Sequence, residues 1–398
     1  MNNNKHAVIF FYTAVALLLY ACRTNGSRGL FEPEPDRDHR TVLFLQDVGP
    51  QVISPNLHQF NHKLTLLATS IENTIQLMQD PNEAIDFGYA QENWKTTMLH
   101  WQRLELMQIG PLGSYYDVIG GEDRRYDIYS WPISNRCRVD MVTINRDYQM
   151  DDFFDSTLPN VTGLDALEYL LFGDINSSCP EQVNINDDWE ELSELTIQQY
   201  RLEYAQRLVE NIQDQTLALI DIWSIDGGNY GLKLLDGSIY RSRDAALNDI
   251  FNSLFYLERF TLMYKLSEPL GLGCCSYDYE DCMLSAEHIP SGLSLKAIEH
   301  NLLGFETLFK NGNGYGLDDF LIDMGHGDLQ QDMLSRIDKA KQSLEGHEQS
   351  LPQLYQENPD EAVRIHNEIS SIVDFLSSDV RTVLNFDELY IDCNGGGD

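Results

Sequence analysis

Basic residues are scarce in this chain. Its 398 residues carry 27 Lys and Arg against 63 Asp and Glu, a net charge of −36, and a field of that sign repels nucleic acid and anionic lipid. Nucleic acid is thereby excluded as a partner, and any hold on a membrane has to come from something other than a basic patch. His-Glu-x-x-His, Gly-x-Ser-x-Gly and a phosphate-binding loop are all missing, so the commonest zinc-hydrolase, serine-hydrolase and nucleotide signatures do not apply. Strand-like alternation never persists long enough to build a sheet, and past residue 22 no apolar run has the length of a membrane span. The glycine-rich run from Asn311 to Asp319 resembles a calcium loop only superficially. Its twelfth position, where a bidentate Glu is needed, is Ile322, so the run reads as a helix stop followed by an Asp start.

What is present describes a folded, exported protein. Hydrophobic content of 42% with 11% aromatic residues, over this length, is enough for two ordinary domains. Residues 1–22 read as a lipoprotein signal peptide. Lys5 precedes an apolar run from Ala7 to Leu19, and Leu19-Tyr20-Ala21-Cys22 is a processing box, so Cys22 is the expected acylation site; a plain secretory leader with a coincidental cysteine is the alternative. Processing removes Lys5 alone among the charges, which takes −36 to −37. Residues 23–40, with Gly26, Gly29, Pro33 and Pro35, read as a flexible tether. Six cysteines follow Cys22, an even number that suggests disulfides in an exported chain, with Cys274, Cys275 and Cys282 clustered and Cys137, Cys179 and Cys393 apart. A zinc site would need paired ligands at the right spacing, and those are lacking.

Helical periodicity dominates the rest. Leu57, Phe60, Leu64, Leu67, Ile71, Ile75 and Met78 step by three and four until Pro81; a second helix runs from about Asn82 to Met107 with Trp94, Met98 and Trp101 on one stripe. Tyr115 to Asp155 reads as irregular, Cys179 to Asp188 as loop, and Glu190 to about Trp223 as a long helix. Beyond residue 238 further helices are expected over Ser242 to Leu266, Ser294 to Lys310, Asp328 to Gln349 and Pro359 to Leu384. The expected fold is all-α: two tandem antiparallel helical bundles, residues 41–238 and 239–398.

The first bundle contains Val161 to Gly173, V-T-G-L-D-A-L-E-Y-L-L-F-G. Thr162 supplies a candidate N-cap oxygen, Leu164, Leu167 and Leu171 recur at helical spacing, and Gly173 closes the segment. Asp165 and Glu168 stand three residues apart on one helix surface, close enough to share a cation or a proton. The helix macrodipole alone also favours acidic residues there, and a salt bridge to Arg103 or Arg138 would equally compensate the pair.

This stretch resembles the signature of the imelysin-like family, Gly-x-His-x-x-Glu followed by a Tyr-Leu-Leu-Phe-Gly type run. Gly163, Glu168 and Tyr169 to Gly173 match, and Asp165 stands at the histidine position. Trp94, Trp101, Glu105, Gly110 and Pro111 match further, with Met98 where the family's arginine is expected; Lys265-Leu266, Glu268-Pro269, Glu287 to Ser291 and Asn385-Phe386 extend the resemblance. The resemblance implies a two-bundle protein of the bacterial cell envelope, lipid-anchored and in the outer membrane, binding a ligand around Gly163, Asp165, Glu168, Glu105 and Trp94. It implies a role in iron or haem uptake with an envelope uptake partner. Asp165 with Glu168 would be the metal ligands, and an all-oxygen pair suits iron or another hard cation better than zinc. The competing readings are a metal-dependent peptidase of the imelysin type and a diverged structural paralogue without a ligand. A hydrolytic centre needs several ligands and an open water position, so no catalytic residue is assigned.

Overall fold

Leu57, Phe60, Leu64, Leu67 and Ile71 are all fully buried, and their three-and-four spacing is what turns one face of a long helix toward the core. The same rule recurs along the chain. The structure, a computed structural model, describes residues 37–78, 86–183, 185–273 and 282–386; the leader, Cys22, Cys274, Cys275 and Cys393 lie outside them. In chain order the longer helices are α1 (Arg37–Asp47), α2 (Ser54–Leu77) and α3 (Gly88–Glu105). Then come α4 (Arg124–Ile128), α5 (Arg136–Asn145), α6 (Gly163–Phe172) and α7 (Glu194–Trp223). The last are α8 (Arg243–Ser253), α9 (Ser294–Phe309), α10 (Gly327–Leu344) and α11 (Pro359–Phe375). Among the described residues there is no strand.

These helices share walls in sequence. α7 packs on α2 and α6, α2 on α3, α3 on α9, α9 on α10, and α10 on α11, so the described residues from Asp38 onward form one compact unit. The α3–α9 contact is the one that positions the site, because it brings residues from before and after position 238 face to face. It is unusually close. A Cβ on Gly304 of α9 would lie 2.5 Å from the Arg103 carbonyl oxygen of α3, so only glycine lets the two backbones approach this far.

Several local expectations are revised. α1 is helical from Arg37, inside the stretch read as tether over 23–40, and Arg40 is buried. The segment Tyr115 to Asp155 holds α4 and α5, and the loop Cys179 to Asp188 gives way to a short helix at Ile185–Glu190. Cys137 and Cys179 form a disulfide, and Cys282 is disulfide-bonded as well. Two of the expected long helices are not α-helical throughout. The chain widens into π-helix at Leu257–Ser267 after α8, and at Leu376–Val380 after α11. A π-helix has more than four residues per turn, so it rotates the side chains that follow relative to an unbroken α-helix.

Candidate functional site

α6 starts on a glycine for a geometric reason. Gly163 has φ +77, and a Cβ there would sit 2.9 Å from the Ile128 carbonyl oxygen, so the α6 N-terminus lies directly on the end of α4. Thr162 occupies the N-cap position but does not cap with its side chain: its hydroxyl donates to the Pro159 carbonyl, while its own carbonyl accepts from Ser130 Oγ. Trp94 fixes the helix from the side. Its Nε1 donates to the Leu164 carbonyl at 3.1 Å, and its ring meets His288 edge-on.

Behind α6 lies a buried cluster of charge. Glu105, at the end of α3, accepts from Lys265 Nζ at 2.6 Å and from Arg125 Nη2 at 2.8 Å, with Tyr256 and Asn301 adding further donors. Lys265 also reaches Glu287 Oε1 at 3.0 Å, an oxygen that accepts from Tyr129 OH at 2.5 Å and Gln102 Nε2 at 3.2 Å. Glu287 Oε2 has no hydrogen-bond partner among the described residues. His288 Nδ1 lies 2.8 Å from Glu168 Oε2, while Glu168 Oε1 accepts from the Ser291 N–H at 3.2 Å. Three carboxylates therefore face three bases, all of them buried.

Proton affinities follow from that balance. Burial is the largest influence on Glu105 and pushes its pKa up, but Lys265 and Arg125 outweigh it and hold the carboxyl at about 2. Burial lowers His288, yet Glu287 and Glu168 more than reverse this, so its pKa is raised and an imidazolium is favoured between them. Tyr129 is pushed well above the usual phenol value by burial and by Glu287.

Asp165 stands outside the balance. It lines a cavity of about 260 Å³ with Glu168, His288, Ser134, Arg136 and Trp131, rimmed by Leu284, which is 73% exposed. Burial and the Glu168 charge push the Asp165 carboxyl up to about 7, opposed more weakly by a hydrogen bond from Ser134 and by His288 and Arg136. A second cavity of about 480 Å³ adjoins the first and shares Arg136, Tyr169 and Pro290 with it.

The structure thus places Gly163, Asp165, Glu168, Trp94 and Glu105 in one neighbourhood, with Asp165 and Glu168 on the cavity wall and Glu105 and Trp94 buried behind it. The bridge imagined from Arg103 or Arg138 is not made. Arg103 Nε donates to His300, and the backbone of Arg138 takes the Asn135 cap, whereas Glu168 is compensated by His288. Met98 is buried, and the arginine that meets Glu105 comes from α4 as Arg125. Sequence reasoning missed Arg125, Tyr129 and His288. His288 lies within the matched segment Glu287 to Ser291, which was the available signal; Arg125 gave none, being one of several arginines in a stretch without periodicity.

A bare metal ion tests this donor set severely. Among the described residues no group of three or more His, Cys, Asp or Glu side chains could hold one, and Glu168 and His288 are engaged with each other. The pair Asp165 and Glu168 therefore offers a single uncompensated carboxylate.

An all-helical body, with a cavity lined by Asp165 and Glu168 on a glycine-started helix and backed by a buried charge cluster, is the architecture of the described residues. The family model for imelysin matches residues 53–378, and the chain belongs to the imelysin family. The fold agrees. An imelysin-like protein from Psychrobacter arcticum superposes with a TM-score of 0.64 at 15% identity, over 89% of this chain and 98% of that one. A protein from Parabacteroides distasonis, described as an iron-regulated protein A precursor, gives 0.65 at 14% identity over 89% and 97%. No curated protein sequence matches the chain.

Proposed function

We propose that this protein is a non-catalytic binding protein of the bacterial cell envelope, held to the outer membrane through acylated Cys22, and that the Asp165 cavity takes a cation in the service of iron uptake. One observation carries the cation reading. Glu105, Glu168 and Glu287 are each met by a buried base, whereas Asp165 faces the cavity with no base within ion-pair distance among the described residues. A carboxylate kept in that position is costly unless something arrives to balance it. The Parabacteroides neighbour, described as iron-regulated, supports iron as the cargo.

The geometry favours binding over hydrolysis. Glu168, the residue that would activate water in a peptidase reading, spends both oxygens on His288 and the Ser291 N–H. Calorimetric titration with manganese and ferrous iron is expected to give binding that Asp165→Ala weakens at least tenfold, while Asp165→His shifts preference toward zinc and ferrous iron. Identical titrations for the wild type and both variants would remove Asp165 from the site.

A further inference from the structure

Arg136 is the one cation shared by both cavities, and it stands where a helix is least hospitable to it. It is the first residue of α5, at the positive end of the helix dipole, which disfavours a cation there. No carboxylate pairs with its guanidinium within 4 Å among the described residues; the Tyr169 ring lies 5.9 Å from the guanidinium carbon, and Asp165, across the shared cavity, feels its charge without pairing with it. It is exposed, so its charge is open to a ligand. The walls around it are fixed. Tyr169 OH donates to Asp140 at 3.0 Å, Asp140 accepts from the Ser178 N–H at 2.7 Å and from Ser178 Oγ at 2.8 Å, and the Cys137–Cys179 disulfide ties the same two segments together.

Three facts then meet. Among the described residues Asp165 supplies one carboxylate and no complete set of metal ligands; the two adjoining cavities enclose far more space than an ion fills; and a guanidinium with no carboxylate within 4 Å among those residues lines both. We propose that the cargo is a cation already carried by an oxyanion chelator: the metal-bearing end lies toward Asp165, and a carboxylate of the chelator is taken by Arg136. Guanidinium matches a carboxylate by paired N–H donation, which a bare aquated ion cannot exploit. The inference rests on the cation reading of the Asp165 cavity and names the form in which the cation comes.

Calorimetry with three probes tests it: manganese(II) chloride, ferric citrate, and citrate alone, each titrated into the wild type, Arg136→Gln, Arg136→Lys and Asp165→Ala. Ferric citrate is expected to bind the wild type at least tenfold tighter than manganese. Arg136→Gln should lose that advantage, Arg136→Lys should recover part of it, and manganese binding should not weaken in Arg136→Gln, because the Arg136 charge opposes a bare cation beside Asp165. Wild-type behaviour of Arg136→Gln toward ferric citrate, or manganese binding as tight as ferric citrate, overturns the chelate inference and leaves the Asp165 cation site standing. Citrate binding as tightly as ferric citrate shows an anion site only, and the absence of binding by all three probes overturns both readings. An exposed first-turn position makes misfolding of the Arg136 variants an unneeded explanation, and unchanged circular dichroism verifies it.

Discussion

Glu105 is the residue on which the interior turns, because a carboxylate with no exposure has to be balanced completely or not at all. Glu105→Gln leaves Lys265 and Arg125 short of a counter-charge, and an expected loss of ~3–5 kcal/mol in denaturant unfolding follows from breaking a buried pair. The pH dependence has a definite sign. The folded carboxyl sits at about 2, below its ordinary value of 4.5, so its stabilisation is complete above 4.5 and is lost as pH falls toward 2. Acid titration of stability should show this loss in the wild type and not in Glu105→Gln; parallel curves would mean that Glu105 is not ionised in the fold. Asp165 is the counterpart at the same scale, a carboxylate pushed the other way by burial and by the Glu168 charge.

Among the elements, the α3–α9 contact governs how the charge cluster is assembled. Asn301 of α9 donates to both the backbone and the side-chain oxygen of Gln102 on α3, while accepting from Thr261 of the π segment. Gly304→Ala forces α9 away from α3, and overpacking of this kind costs ~1–3 kcal/mol. Thermal unfolding should register it as a lowered Tm; an unchanged Tm would show that the backbones yield without cost. The helices themselves were legible from periodicity, since the apolar positions of α2 and α9 fall where 3.6 residues per turn put them. The π segments were not, because Leu257–Ser267 carries apolar residues at spacings that suit either helix, and the difference lies in where Lys265 points. The cluster was legible only in part. Lys265 and Glu105 are 160 residues apart, and nothing local to either predicts that contact.

The whole molecule sets a strongly acidic body against its proposed site of attachment. A charge of −36 repels an anionic membrane surface, so under the proposed function the hold on lipid comes from acylation of Cys22 and not from charge. Cys22→Ser is expected to move the protein from the membrane to the soluble fraction on cell fractionation, and retention of that variant would refute the anchor. The Cys137–Cys179 disulfide extends the matter of location to the cavity itself. It joins the helix that begins with Arg136 to the segment bearing Ser178, both of which line the second cavity, whereas the buried charges around Glu105 involve no thiol. Under the proposed function, a reducing medium leaves that wall unstapled, so reduction is expected to be felt at the second cavity and in the ligand it takes.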